Sequence, residues 1–206
     1  MANFDAIGNA LADVGYAVLP DFISEPLQTA LRQELLRRMA AGELKAAGIG
    51  RGADHRLLRE VRGDQIRWLD GSTPAQARWL RRMRAVQRQL NRRLYLGLRE
   101  HESQFAHFAP GTFYRRHLDS FAGRESRVVS TVLYLNRDWQ PDDGGDLVLF
   151  DPATGAALRH VQPLAGTLVI FMSALIPHEV EASRRARLSI AGWFRRDAVD
   201  DLPAPP

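Results

Sequence analysis

The feature that most constrains the fold is a change in texture near residue 102. From there the sequence breaks into short apolar or alternating runs, separated by turn-forming clusters such as the one at 141–145. Many short strands at regular spacing are typical of a sandwich or barrel. The predicted strands are Gln104–Ala109, Thr112–Asp119, Arg127–Asn136, Asp146–Asp151, Thr167–Met172, Pro177–Val180 and Arg187–Phe194.

The first hundred residues instead indicate helices, with a short strand at Tyr16–Leu19 between the first two. Apolar residues recur at helical spacing before Gly15 and again between Ser24 and Gly42, and Thr73–Gln76 is a capping pattern that opens a third helix. The segment 43–60 is weakly patterned and glycine-rich, which indicates a loop or irregular hairpin. We therefore predict a mainly β protein whose N-terminal helices brace one sheet.

The length of 206 residues fits one domain. We predict a single domain over 1–197, with helical support and a substrate loop in 1–101 and a β core in 102–197. The proline-rich tail, 198–206, is expected to be disordered.

Composition excludes several function classes. The chain has no cysteine, which removes disulfides and thiolate metal sites. No apolar stretch reaches the length of a membrane helix and the N-terminus lacks a signal-peptide pattern, so we expect a cytoplasmic protein without a membrane partner. The net charge is +4, and all cations except Lys45 are arginines. We interpret the arginines of the third helix as a solvated face, and expect no nucleic-acid partner.

Four dispersed residues carry the chemistry. A strand has a period of two, so His117 and Asp119 share one face, and His178 can approach from a facing strand. Two imidazoles and one carboxylate are the ligands of non-haem Fe(II) oxygenases, which keep coordination positions open for O2 and a 2-oxo acid. Arg187 offers a bidentate, always charged partner to the far carboxylate of 2-oxoglutarate. Taken singly, each residue could instead be solvated or paired on the surface.

Strand periodicity adds further residues to this pocket. Ser189, Ala191 and Trp193 share the face of Arg187, while Leu188, Ile190 and Phe194 point the other way. On the strand from Arg127, Ser130 and Tyr134 fall on one side together, and Tyr134 could supply a hydroxyl.

The segments around these residues resemble a known family. The stretches 108–119, 127–139, 144–147 and 178–193 resemble Fe(II)- and 2-oxoglutarate-dependent prolyl hydroxylases, most closely the Egl-nine branch. The segment 61–71 resembles that branch too. The resemblance implies a double-stranded β-helix, a jelly-roll core of two facing sheets.

It also implies roles for particular residues. His117, Asp119 and His178 would bind iron, and Arg187 and Tyr134 would bind the far carboxylate of 2-oxoglutarate. Other positions of the co-substrate pocket would be Tyr114, Ser189 and Trp193. Ascorbate would serve as a reductant. One departure is Phe108, because family members commonly carry a tyrosine there.

The segment 43–67 would cover the site and select an extended, proline-containing peptide. Arg62, Asp64 and Trp68 would take part in this substrate loop. We expect Asp64 to pair with Arg127 and tie the loop to the barrel.

The sequence therefore predicts an enzyme that hydroxylates a prolyl residue of a protein and releases succinate and CO2. A translation factor is a candidate substrate by family analogy only. Two alternatives stay open: a hydroxylase of a free amino acid or small metabolite on the same fold, and a non-catalytic sensor of 2-oxoglutarate or oxygen.

Overall fold

The computed structural model describes residues 4–48, 61–120 and 126–196. Most of the predicted loop and the whole predicted tail lie outside these residues. The helices are α1 (Phe4–Asp13), α2 (Glu25–Ala40) and α3 (Pro74–Leu94). The strands are β1 (Tyr16–Leu19), β2 (Lys45–Ala46), β3 (Asp64–Trp68), β4 (Glu100–Phe108), β5 (Tyr114–His117), β6 (Arg127–Tyr134), β7 (Leu147–Phe150), β8 (Ala157–Val161), β9 (Leu168–Met172), β10 (His178–Val180) and β11 (Arg187–Arg195).

The strands form two antiparallel sheets. The large sheet has the order β1-β9-β6-β11-β4-β3-β2, and the small sheet has the order β5-β10-β7-β8. Most neighbouring strands, such as β6 with β9 and β11, are distant in sequence, as in a jelly roll. The predicted double-stranded β-helix with supporting helices is confirmed.

Two apolar clusters lie on the two faces of the large sheet. On the outer face, α3 buries Trp79, Met83 and Leu90 against the sheet, together with Leu188, Ile190 and Phe194 of β11. Between the sheets a second cluster includes Phe108, Tyr134 and Phe171. Because successive strand residues point to opposite faces, the polar residues of β11 face the small sheet.

The helix α3 has a defined start and end. Thr73 caps it by accepting a hydrogen bond from the Gln76 backbone N–H at 3.2 Å. The Gln76 side chain does not complete the predicted reciprocal cap, because it donates to Glu34 and accepts from the backbone of Asp70 and Gly71. Tyr95 ends the helix in the left-handed conformation, with a φ of 52°.

One segment joins both sheets at the open end of the jelly roll. Val61–Gly63 pairs with β5, through Gly63 N–H to the Phe113 carbonyl at 3.0 Å and Arg115 N–H to the Val61 carbonyl at 2.9 Å. The chain then continues as β3, which pairs with β4 of the large sheet. Gly63 is required here, because a Cβ would lie 2.8 Å from the Thr112 Cβ.

The structure corrects several predicted boundaries. Lys45–Ala46, in the segment predicted as a loop or irregular hairpin, pairs with β3, and sequence periodicity missed both β3 and β8. The strand predicted to run to Asp119 ends at His117. The strand expected at Tyr16–Leu19 is present as β1, and the N-terminal part also contributes β2 and β3 to the large sheet, so it is more than helical support.

Candidate active site

Three ligand-type side chains converge between the sheets. The ligand atoms of His117, Asp119 and His178 all lie within 4.8 Å of one another. The two histidines are paired in register, one at the end of β5 and the other at the start of β10. The carboxylate of Asp119 lies between them, 3.5 Å from His117 Nε2 and 3.6 Å from His178 Nε2.

Backbone carbonyls orient both imidazoles. His117 Nδ1 lies 2.8 Å from the Arg115 carbonyl, and His178 Nδ1 lies 3.1 Å from the Ile176 carbonyl. A carbonyl only accepts hydrogen bonds, so each Nδ1 carries the proton. Each Nε2 therefore directs its lone pair at the common centre, which is the arrangement a metal-ligating histidine requires.

The protonation states also suit a metal. Burial and the neighbouring His117 lower the pKa of His178 to about 4, so its ring is neutral at pH 7. Burial raises the pKa of Asp119, but His178, His117 and a hydrogen bond from Ser130 bring it well below its usual range. Ser130 Oγ donates to Asp119 Oδ2 at 2.7 Å. The centre thus offers two imidazole Nε2 atoms and one carboxylate, the donor set that suits divalent iron.

A second polar pair lies deeper between the sheets. Arg187 is 1% exposed and Tyr134 is fully buried, with the guanidinium 5.0 Å from the tyrosine ring centroid. Arg187 Nε donates to the Gly145 carbonyl at 2.9 Å. Its Nη2 atom and the Tyr134 hydroxyl are buried without a geometric hydrogen-bond partner among the described residues. Burial lowers the pKa of Arg187 and raises that of Tyr134 to about 12.

These orphaned donors fit a carboxylate. An unpaired buried cation costs several kcal/mol, and an anion that accepts from both donors would remove that cost. Tyr134 lies four residues along β6 from Ser130, which contacts Asp119, so the backbone positions of these two residues are about 13 Å apart along the strand. An extended dicarboxylate can bridge from a metal at one centre to the guanidinium at the other.

Ser189 and Trp193 lie on the same inner face of β11. Ser189 is buried and pairs in register with Tyr134, whereas Trp193 pairs with Ser130 at the level of the metal ligands. Six residues separate Trp193 from Arg187, about 20 Å along the strand. Trp193 is therefore placed beside the metal centre, away from the guanidinium.

Aromatic and arginine side chains lie around the metal ligands, and the space between Tyr114 and Trp193 is called the opening below. Tyr114 stacks on His117 with ring centroids 3.6 Å apart, and the Arg62 guanidinium lies 4.7 Å from the Tyr114 ring centroid. On the opposite side, the Arg127 guanidinium covers the Trp193 ring at 3.6 Å. Trp68, which is 45% exposed, lies with its ring centroid 6.1 Å from that of Trp193.

The predicted pairing of Asp64 with Arg127 is wrong. Asp64 accepts two hydrogen bonds from Arg62, at 2.6 and 3.0 Å, within its own strand segment. Arg127 instead pairs with Glu102 at 2.8 Å, and Glu102 also binds Arg195. No local sequence pattern points to Glu102, which meets Arg127 because β4 and β6 both flank β11.

Residues that support the metal ligands were also missed. Ser130 was assigned to the pocket face by parity, but its contact with Asp119 was not predicted. Ser173 Oγ lies 2.8 Å from Ser130 Oγ and extends this hydrogen-bond chain. Ser173 follows β9 directly, and no periodicity in the sequence links it to β6.

Comparisons with known proteins identify relatives of this chain. The profile of the 2OG-Fe(II) oxygenase superfamily matches residues 103–195. The crystal structure of a Pseudomonas putida prolyl-4-hydroxylase is 43% identical in sequence to this chain and superposes on it with a TM-score of 0.86. The match covers 95% of this chain and 100% of the Pseudomonas putida chain.

Two further relatives are more distant. The human prolyl hydroxylase EGLN3 is 25% identical over 194 residues, 89% of this chain and 80% of the relative. A Trichoplax adhaerens prolyl hydroxylase, solved in complex with a hypoxia inducible factor oxygen degradation domain peptide fragment, has a TM-score of 0.84 at 24% identity. The match covers 94% of this chain and 89% of the Trichoplax adhaerens chain, and it supports the fold.

Proposed function

Since the chain belongs to the 2OG-Fe(II) oxygenase superfamily, and within it to the prolyl hydroxylases, we propose that it hydroxylates a prolyl residue in a protein substrate. The superfamily uses Fe(II), 2-oxoglutarate and O2. The observation that carries the proposal is that His117, Asp119 and His178 meet at one centre. Arg187 is buried deeper between the same sheets, and its Nη2 atom has no hydrogen-bond partner among the described residues.

His117, Asp119 and His178 would hold the iron through two Nε2 atoms and one carboxylate. Iron, when bound, supplies the oxidation chemistry that couples 2-oxoglutarate decarboxylation to proline hydroxylation, with succinate and CO2 as products. The protein supplies orientation. The Arg115 and Ile176 carbonyls fix the two rings, and Ser130 fixes the carboxylate.

Arg187 and Tyr134 would hold the far carboxylate of 2-oxoglutarate. A guanidinium that is fully desolvated attracts an anion more strongly than one in water. The Gly145 carbonyl fixes the guanidinium by accepting from Nε, so that Nη2 is free for the ligand. This contact would set the depth at which the co-substrate lies, and with it the position of its other end at the metal.

The opening suits a prolyl ring. Tyr114 stacks on the proposed metal ligand His117, and Trp193 lies at the level of Ser130, so two aromatic rings lie beside the metal centre. Aromatic faces pack well on a prolyl ring and exclude water from it. Arg62, Asp64 and Trp68 lie in the segment that joins the two sheets at this opening, and would position the flanking peptide backbone.

The test is an assay of the iron-loaded full chain with 2-oxoglutarate, O2, ascorbate and a bacterial lysate. Succinate release and proteins one oxygen heavier at proline support the proposal, and the modified protein shows whether a translation factor is the substrate. Heavier free amino acids would instead indicate a metabolite hydroxylase. A His117→Ala variant is the control, because it lacks one of the proposed ligands.

A further inference from the structure

Four arginines form a straight row on the solvent-facing side of α3. Arg81, Arg84, Arg88 and Arg92 are all exposed, and they follow one another at intervals of three or four residues, so they lie on one face of the helix. This arginine row is opposite the buried stripe of Trp79, Met83, Val86 and Leu90.

The row has a single sign of charge. No Asp or Glu lies between Pro74 and Leu94. Among the described residues none of the four arginines has an ion-pair partner, whereas Arg62 and Arg127 near the opening each bind a carboxylate. Like charges at i,i+4 destabilise a helix by about 0.2–0.5 kcal/mol per pair. Ordinary exposed helices intersperse both signs, so this face carries a repulsion that an anionic partner would relieve.

The dimensions of the row suit a nucleic-acid backbone. Eleven residues separate Arg81 from Arg92, about 17 Å along the axis. Phosphates follow one another at about 3.4 Å of axial rise per strand in a duplex, so several can face the row at once. At the C-terminal end of the helix, Tyr95 is 89% exposed, which leaves an aromatic face on which an unpaired base can stack.

In contrast to the solvated face expected from the sequence, we propose that the arginine row binds single-stranded RNA. Arginine binds phosphate bidentately, and lysine does not. The row contains no apolar residue that could insert into a lipid surface, which argues against a membrane. Gln89 flanks the row, and its side-chain amide has no hydrogen bond to any described residue. An amide can both donate to and accept from a ribose 2′-hydroxyl, a group that DNA lacks.

The proposed RNA surface is separate from the metal centre. The helix α3 packs on the outer face of the large sheet, and His117, Asp119 and His178 lie beyond the inner face. RNA on the arginine row would therefore leave the opening free. The inference does not depend on the prolyl hydroxylase proposal, and the two can fail separately.

The test measures binding of the full chain to a fluorescent oligouridylate of about 16 nucleotides by anisotropy, from 50 to 200 mM salt. Four phosphate contacts predict a slope of about −3 for log K against log salt, equal to roughly a 50-fold loss over this range. The variant Arg81→Gln, Arg84→Gln, Arg88→Gln, Arg92→Gln should lose most of this slope. Tyr95→Ala should keep the slope and weaken binding about fivefold or more.

A matched variant removes four exposed arginines elsewhere: Arg37→Gln, Arg137→Gln, Arg159→Gln and Arg184→Gln. It should retain RNA binding, and both variants should unfold at nearly the same denaturant concentration as the wild type, since the replaced side chains are exposed. An equal loss of RNA binding in the two variants would show attraction by net charge alone and overturn the proposal.

Three competitors complete the test. Polyglutamate that displaces RNA at equal charge concentration would assign the row to an acidic protein and overturn the RNA assignment. Anionic lipid vesicles that compete equally would overturn it too. Single-stranded DNA of the same sequence should bind more weakly, and Gln89→Ala should remove that difference. Equal affinity of wild-type protein for RNA and DNA contradicts the choice of RNA.

Discussion

Replacing Arg187 with methionine should separate co-substrate binding from stability. In the ligand-free protein, the guanidinium is 1% exposed and donates from Nε to the Gly145 carbonyl. Losing that bond costs about 1–3 kcal/mol. Removing a buried, uncompensated cation returns several kcal/mol of desolvation. The two effects offset each other, so Arg187→Met should unfold at nearly the same denaturant concentration as the wild type.

The same substitution should severely weaken 2-oxoglutarate binding. Truncating one partner of a buried charged pair costs about 2–5 kcal/mol, which corresponds to a rise in Kd of roughly 30-fold to 4,000-fold. The assay is anaerobic calorimetric titration of the iron-loaded protein with 2-oxoglutarate, beside denaturation with and without ligand. The stabilisation by 2-oxoglutarate should disappear in the variant.

Arg195 supplies a matched control on the same strand. It is also fully buried, but it is paired with Glu102 at 3.2 Å and lies eight residues from Arg187. Arg195→Met should destabilise the protein and leave the Kd for 2-oxoglutarate unchanged. A Kd in Arg187→Met within about threefold of the wild type, less than 1 kcal/mol, would refute the assignment of this guanidinium.

Three other substitutions test separate contacts. Ser130→Ala should weaken iron binding about 10–100-fold in a metal titration, because the proposed ligand carboxylate loses a hydrogen bond, and an unchanged iron Kd contradicts this. Burial lowers the pKa of His101 to about 3. Below pH 6.5 the unfolded chain therefore binds a proton that the folded chain does not bind. The free energy of unfolding should fall toward pH 3 for this reason, by about 2 kcal/mol at pH 5. His101→Leu should flatten this pH dependence, as measured by urea titrations at several pH values. If the free energy of unfolding changes with pH equally in the variant and the wild type, His101 is not the source. Asp64→Ala should lower the free energy of unfolding by about 3–5 kcal/mol through the unpaired Arg62, and a double-mutant cycle of Asp64 with Arg127 should show coupling near zero. Strong coupling would restore the pairing expected from the sequence.

The parts of the site that follow strand periodicity could be predicted. Alternation along β11 places Arg187, Ser189 and Trp193 on the inner face and Leu188 and Ile190 on the opposite face, and the structure shows the same division. Alternation works here because both faces of this central strand are buried against different partners, so a one-residue slip would bury charge in the helix-facing core. The proximity of the two histidines follows from the same argument once the strands are paired.

The contacts that depend on strand order could not be predicted. Glu102 and Arg127 meet because β4 and β6 both flank β11, which no local pattern encodes. The strand β3 was missed because its residues are mostly polar, and its pairing with β4 outweighs their weak strand propensity. The segment at 61–63 joins the small sheet through backbone hydrogen bonds, which leave no hydrophobic signature in the sequence.

The most direct test of the account is coupled turnover on one substrate protein identified from the lysate. The iron-loaded chain should release one succinate for each prolyl residue that gains an oxygen atom, and heavy-isotope O2 should label that residue. His117→Ala should abolish both signals, and Arg187→Met should lose both in parallel at limiting 2-oxoglutarate. Succinate release without labelled proline in any protein, or labelling that persists in His117→Ala, would contradict a prolyl hydroxylase built on this metal centre.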